Sequence, residues 1–503
     1  MSNYGARAGC VVGVLLSAAC GPESPQPVSN GTQAPGVEYE TDRAEQAETT
    51  VVASKGFVYR GLVAGFNDKS VEYSETPEIE YLPSIDDPQE RRLRRGVSLM
   101  GWSTSSDAGK TWRYRGKVRP PEGWSAIWAD PEMAVDPAAS ERVYYVQMGI
   151  SDESWNQVTG GADETLVRPN VDGLCIARST DSGLSFPAVK CFKVKDFGDL
   201  TIDMIDRTAI TVDGVGRVWV AVFVVETGFW NRVRLFRSAS TSGWSDFQWV
   251  EVPTTVDHLG DQEPALVTDS EGNIWLSALF ENTVIVNRYS YLTGERDKIL
   301  RLDIDCGVPQ IHSTDVQIGS GQLIRNAHSY DIAAGLNERG VPAVRIAAQV
   351  MREDKRVGLR VVEWTETGCV APAGWSTLGE SGKQFQPAMS YQDRDGVRRW
   401  WLAFLSTRGV PDVTDNYVHP EAFEVSWSDG AVMGNRHVLA PTDWYACPEN
   451  DGYWGDYFGL TQARDYDGTW WAVAAFSSSS RSPQCGPPSD YIAQPLHVAA
   501  SRW

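Results

Sequence analysis

The chain is short of positive charge and of histidine. Its 45 lysines and arginines face 66 aspartates and glutamates, its histidines number 6, and the formal charge is -21. Binding to a phosphate backbone needs clustered Lys and Arg, so this balance argues against nucleic acid as a partner and favours solubility. No Gly-rich loop follows a strand and opens a helix, which leaves nucleotide chemistry without a motif. No GxSxG elbow occurs, and His258, His312 and His328 stand in no nucleophile context, so serine hydrolase chemistry is unsupported. Neither CxxC nor HxxxH spacing is present for zinc. After the first residues no run is long and apolar enough to span a bilayer. Long stretches of helical spacing are also missing, which rules out a solenoid of helical pairs.

What the 503 residues do hold is tryptophan (20) and glycine (46), a combination that favours many short strands joined by turns. The first 20 residues read as a leader: Arg7 supplies the positive end, CVVGVLLSAA the apolar stretch, and Cys20 follows small residues. LLSAACG resembles a bacterial lipobox, which implies lipidation of Cys20 after cleavage. Ser17 stands where that pattern prefers Leu or Val, so plain secretion is the alternative. Residues 21–40 form a Pro-rich tether, and 41–503 one folded body. Six cysteines remain beyond the leader, an even number that in an exported chain reads as disulfides. Proximity suggests Cys175–Cys191, Cys306–Cys369 and Cys447–Cys485.

One phrase recurs along the chain: an apolar strand, a turn with Asp or Gly, and a second strand rich in Trp, Tyr, Val and Ala. Copies begin at Glu48, Asp130, Asp206, Asp261, Ser329, Gln386 and Gly455. Each reads as a β-hairpin, as in VTDSEGNIWLSAL, and third and fourth strands often follow. Four strands per repeat make a propeller blade. The expected fold is therefore an all-β, seven-bladed propeller of four-stranded antiparallel blades, with six blades as the alternative. The end LHVAASRW matches a third strand without a fourth. APGVEYETDRAEQAE, ahead of Glu48, is expected to supply the missing one; otherwise the last sheet is three-stranded.

Two further stretches, SSDAGKTW from Ser105 and STDSGLSF from Ser179, resemble the Asp-box (BNR) signature S-x-D-x-G-x-[ST]-[WF] of sialidase-like propellers. The resemblance implies a hairpin between third and fourth strands. Asp107 and Asp181 would accept turn amides, Gly109 and Gly183 would take positive φ, and Trp112 and Phe186 would plug the blade. Such a motif is structural. The repeats at Glu48, Asp206 and Gly455 resemble those of exported bacterial BNR-repeat proteins, which with the lipobox-like leader implies a lipoprotein.

Chemistry in a propeller belongs where inner strands meet the axis. The residues opening them here are polar: Glu48, Asp130, Glu132, Asp206, Arg207, Asp261, Glu263, His328, Asp331, Gln386 and Asp456. Converging carboxylates either raise one another's pKa, recruit a cation such as a structural Ca²⁺, or hydrogen-bond the neighbouring blade. Sialidases use an arginine triad, a Tyr–Glu nucleophile and an Asp. Arg60, Arg207, Arg325, Arg345 and Arg360 are available, but the family's Arg-Ile-Pro motif is absent. Asp206, Arg207, Asp261, Glu263 and Tyr457 are the catalytic candidates; Asp130, Glu132, His328, Asp456 and Trp454 are candidates for binding. Trp155 and Tyr417, in longer loops, could stack on sugar rings. The expectation is an exported, lipid-anchored monomer that binds glycan or protein surfaces without cofactor or catalytic metal. An exo-acting, sialidase-like glycoside hydrolase is the alternative.

Overall fold

The turns at Asp213, Asp269 and Asn337 explain why their repeats fold as hairpins. In DSEGNIW, Asp269 Oδ1 accepts the amides of Glu271 and Asn273, both at 2.9 Å, while its Oδ2 accepts Trp275 Nε1 at 2.9 Å. Gly272 turns the chain at φ 91°. Asp213 repeats the arrangement, accepting Arg217 N at 2.8 Å and Trp219 Nε1 at 2.9 Å, with Gly216 at φ 84°. Asn337 takes the same position before Gly340. One short polar side chain thus satisfies turn amides and anchors the indole of the next strand.

The computed structural model describes residues 46–502 apart from 55–60, 69, 73–78, 82–92, 110–111, 166–168, 198–201, 227–229, 240–247, 255–261, 309, 313–315, 319–321, 325–328, 354, 371–381, 395–396, 408–418, 429–430, 434–435, 439–458, 465–469 and 478–495. Their hairpins assemble into radial antiparallel sheets. Blade 1 runs outward from Gln46–Ser54 through Gly61–Asp68 and Met100–Ser105 to Arg113–Lys117. Blades 2 to 6 begin with the inner strands Glu132–Val135, Ile202–Val212, Gln262–Thr268, Tyr330–Leu336 and Gln384–Arg394. Each of these six sheets has four or more strands.

Six complete blades form this propeller, which corrects the expectation of seven four-stranded ones. The seventh repeat gives only a three-stranded sheet, Gly459–Arg464, Trp470–Ser477 and Leu496–Arg502. No fourth strand pairs with it among the described residues; of the segment expected to supply one, Gln46–Glu48 open the inner strand of blade 1 and the rest lies outside the described residues. Among the described residues, the inner strand of this partial sheet packs against the inner strands of blade 6 and blade 1, closing the ring.

The core is a set of layers between sheets. Val146, Ile176, Ile210 and Val222 fill the seam between blades 2 and 3; Leu235, Ile274 and Leu276 fill the next. Blades 4 and 5 meet through Val286, Ile332 and Val344, and blades 5 and 6 through Leu359, Trp400 and Leu402. Both faces of these blades are therefore buried, which accounts for the long continuous apolar runs in their second strands. Cys306–Cys369 links the end of blade 4 to the outer strand of blade 5, and Cys175–Cys191 joins directly opposed residues on the outer strands of blade 2, both as expected. Cys447 and Cys485 lie outside the described residues. Two disulfides fit an oxidising compartment. Among the described residues no helix is long and apolar enough to cross a membrane.

The two S-x-D-x-G turns fall between the third and fourth strands of blades 1 and 2. Gly109 N and Gly183 N donate to Ser105 Oγ and Ser179 Oγ at 2.9 and 2.8 Å, and those hydroxyls donate to Asp107 and Asp181. Phe186 packs edge-on to Trp102 between blades 1 and 2, while Trp112 lies half-buried against the core of blade 1.

At the closing seam, a Cβ on Gly459 would stand 2.4 Å from Val51 N and 2.8 Å from Thr50 Cα. Gly459→Ala is therefore expected to push the partial sheet off blade 1 and cost about 1–3 kcal/mol. Chemical denaturation checks this; an unchanged midpoint would sink the close-approach reading.

Candidate functional site

Where the inner strands begin, they enclose an axial cavity of about 150 Å³. Thr50, Glu132, Arg207, Glu263 and Asp331 form its polar part, and Ile210, Leu266, Ile332 and Leu460 its apolar walls. Blades 1 to 5 each send at least one polar side chain there, so the site exists only when the ring is closed.

Most of these groups tie one blade to the next. Asp130 Oδ2 accepts the backbone amide of Arg207 at 2.6 Å, and Thr208 Oγ1 donates to the Asp130 carbonyl at 2.6 Å. Glu263 Oε2 accepts both Ser329 N (2.6 Å) and Ser329 Oγ (2.9 Å), and the Tyr330 hydroxyl donates to the Glu263 carbonyl. Gln386 N donates to Gln349 Oε1 at 2.7 Å. Four residues at these strand starts hold left-handed backbone: Asp130 (φ 61°), Arg207 (48°), Glu263 (60°) and Gln386 (49°). The pairing register shifts at the last three, so a bulge re-aims each strand as it reaches the axis. Sequence reading missed this feature. Its signal is the dipeptide in which Asp130, Glu263 and Gln386 each precede a proline.

Among the acids lining the cavity, Glu132 and Asp331 are the two whose pKa values are raised, while Glu263 is held by Ser329 of the next blade. Glu132 Oε1 accepts Thr50 Oγ1 at 3.0 Å and Met133 N at 3.3 Å, and no described residue bonds its Oε2. The carboxyl is walled by protein yet keeps an accessible edge. Burial pushes its pKa up to about 8, against the opposing bonds from Thr50 and Met133; the Asp331 charge adds to the rise. Asp331 accepts Ile332 N at 2.8 Å and Met389 N, from blade 6, at 2.6 Å. Burial still raises it to about 7, while the two amides favour its ionised form. Burial thus favours the protonated form of both acids, and the two amides on Asp331 offset this in part. Glu132 is raised further than Asp331, so of the two it is the stronger holder of a proton.

Other sequence candidates fall elsewhere. Asp206 stands beside the cavity and accepts the Arg207 amide at 3.2 Å, so the Asp206–Arg207 pairing runs through backbone. Arg345 is fully buried between blades 5 and 6, bonded to Glu338, Glu363 and the Val425 carbonyl and stacked over Trp400. Arg360 lies on the third strand of blade 5 and does not line the cavity. Trp155 is not a stacking platform: a short helix, Asp152–Thr159, buries it with Nε1 bonded to Ala162 O at 2.8 Å. Asp261, His328, Tyr417, Trp454, Asp456, Tyr457, Arg60 and Arg325 lie outside the described residues. No group of three or more potential metal ligands occurs among the described ones, which leaves the proposed Ca²⁺ without a cage there.

The chain resembles several solved propellers at low identity. A Hadza microbial sialidase, Hz136, is 11% identical with a TM-score of 0.45, covering 91% of this chain and 66% of its own. An α-L-arabinanase of Penicillium chrysogenum complexed with arabinobiose is 10% identical (TM-score 0.40; 94% and 98% covered). A Trypanosoma rangeli sialidase in complex with sialic acid is 11% identical (TM-score 0.38; 91% and 88% covered). The similarity is one of fold. No family model and no curated protein matches the sequence.

Acids with raised folded pKa values stabilise the fold most at low pH. That contribution is present below their unfolded pKa values, near 4, and is lost as pH rises through about 7 and 8. The melting temperature is thus expected to fall between pH 5 and pH 9, and less so in a Glu132→Gln/Asp331→Asn variant. Thr50→Val, which removes a bond favouring ionised Glu132, should steepen the fall. Scanning calorimetry across this range is the check, and a flat wild-type profile would contradict the assigned protonation.

Proposed function

We propose that the chain is an exported glycoside hydrolase acting at the axial cavity, with Glu132 as proton donor and Asp331 as its ionised partner. One observation carries the reading: two carboxyl groups from blades 2 and 5 face a single cavity, in surroundings that hold Glu132 protonated more firmly than Asp331. Glycosidic cleavage needs that division. The acid protonates the leaving oxygen as the glycosidic bond breaks, the second carboxylate meets the positive charge developing at the anomeric carbon, and a water adds there and returns its proton to the carboxyl pair. Glu132 has the geometry of the acid, because Thr50 and Met133 occupy one oxygen and the other opens to the cavity. Asp331 has that of the partner, since two backbone amides support its negative charge. The lipobox-like leader and the two disulfides support action at the cell envelope.

A second reading is a glycan-binding module, favoured by the interblade bonds that hold Asp130 and Glu263 in structural work. Release of 4-nitrophenol from a panel of aryl glycosides separates the two. The hydrolase reading expects turnover with a narrow bell-shaped pH profile, rising near 7 as Asp331 ionises and falling near 8 as Glu132 loses its proton. Glu132→Gln and Asp331→Asn should each lower kcat/KM by about 10²–10⁴. Full activity in both variants would overturn the assignment, and binding on a glycan array without any turnover would favour the module.

A further inference from the structure

We infer that the axial cavity takes a single uncharged sugar residue from a chain terminus and turns away acidic sugars such as sialic or uronic acids. The inference rests on the hydrolase reading and narrows its substrate.

Size comes first. A volume of about 150 Å³ has room for about one ring-sized group. Ile210, Leu266, Ile332 and Leu460 supply apolar wall, which suits the faces of one sugar ring.

Charge comes second. Glu132, Glu263 and Asp331 line the cavity against Arg207, the one cation lining it among the described residues. Recognition of a carboxylate calls for guanidinium groups aimed at it in bidentate pairs. Among the described residues, the buried Arg345 is committed to Glu338 and Glu363 and Arg234 to Glu251. A ligand carboxylate would therefore sit beside Asp331 in a poorly solvated space, where like charges repel strongly. The hydroxyls of a neutral sugar meet no such penalty, because they donate to carboxylate oxygens and accept from a protonated Glu132.

The test compares 4-nitrophenyl glycosides of neutral hexoses and pentoses with those of sialic and glucuronic acid, using the full chain at pH 7.5. Release from at least one neutral glycoside is expected, with acidic ones slower by about a hundredfold or more. Comparable release of an acidic sugar would overturn the inference while leaving the hydrolase reading in place. Release from neither class defeats the hydrolase reading. The charge preference is then read by calorimetry with neutral methyl glycosides and glucuronate. Weaker binding of glucuronate, improved about tenfold or more in Asp331→Asn, supports the inference. Glucuronate binding as tightly as the neutral sugars, or no binding of either, defeats it.

Discussion

Radial closure is the constraint on which the structure depends. A sheet apolar on both faces cannot stand in water, so each blade must be covered on two sides, and a ring covers every blade with the next. The layers between sheets supply that cover: Val146 and Ile210 at one seam, Ile332 and Val344 at another, Leu359 and Leu402 at a third. The partial last sheet completes the circuit because Gly459 lets its backbone lie directly on Thr50 and Val51.

Closure also creates the site. Inner strands converge on the axis and leave backbone amides at their starts that must find acceptors across the seam. Asp130, Glu263 and Asp331 meet this need by accepting from Arg207, Ser329 and Met389 of the following blade. The same convergence deprives Glu132 and Asp331 of water and lifts both pKa values. Structural satisfaction and poised protonation have one origin, a ring of carboxylates drawn into a narrow polar throat. Glu132 and Asp331 line the cavity together with Glu263, whereas Asp130 does not line it and is taken up by the Arg207 amide at the seam.

Local features were the most legible ones. Turns such as DSEGNIW and STDSGLSF carry their acceptors, donors and glycine within seven or eight residues, so pattern alone located them. Cys175 and Cys191 flank one such turn, and the hairpin brings them opposite each other. Long-range consequences were harder to see. Trp155 reads as an exposed loop aromatic until an eight-residue helix folds it into the core of blade 2. Asp331 is one acid among many in the sequence, although Glu132 was already a binding candidate. The number of complete blades depended on whether the last repeat found a fourth strand, which its own residues do not state.

What the sequence determined by itself is the repeating hairpin, because strand alternation and Asx turns are interactions between near neighbours. It also determined the polar character of the strand starts, while the disulfide pairs it suggested by proximity were decided by the folded chain. Only the tertiary structure decided which carboxyls share a cavity and which are used up at seams. Protonation depends on burial and on charges more than a hundred residues away in sequence, and those distances exist only once the ring has closed.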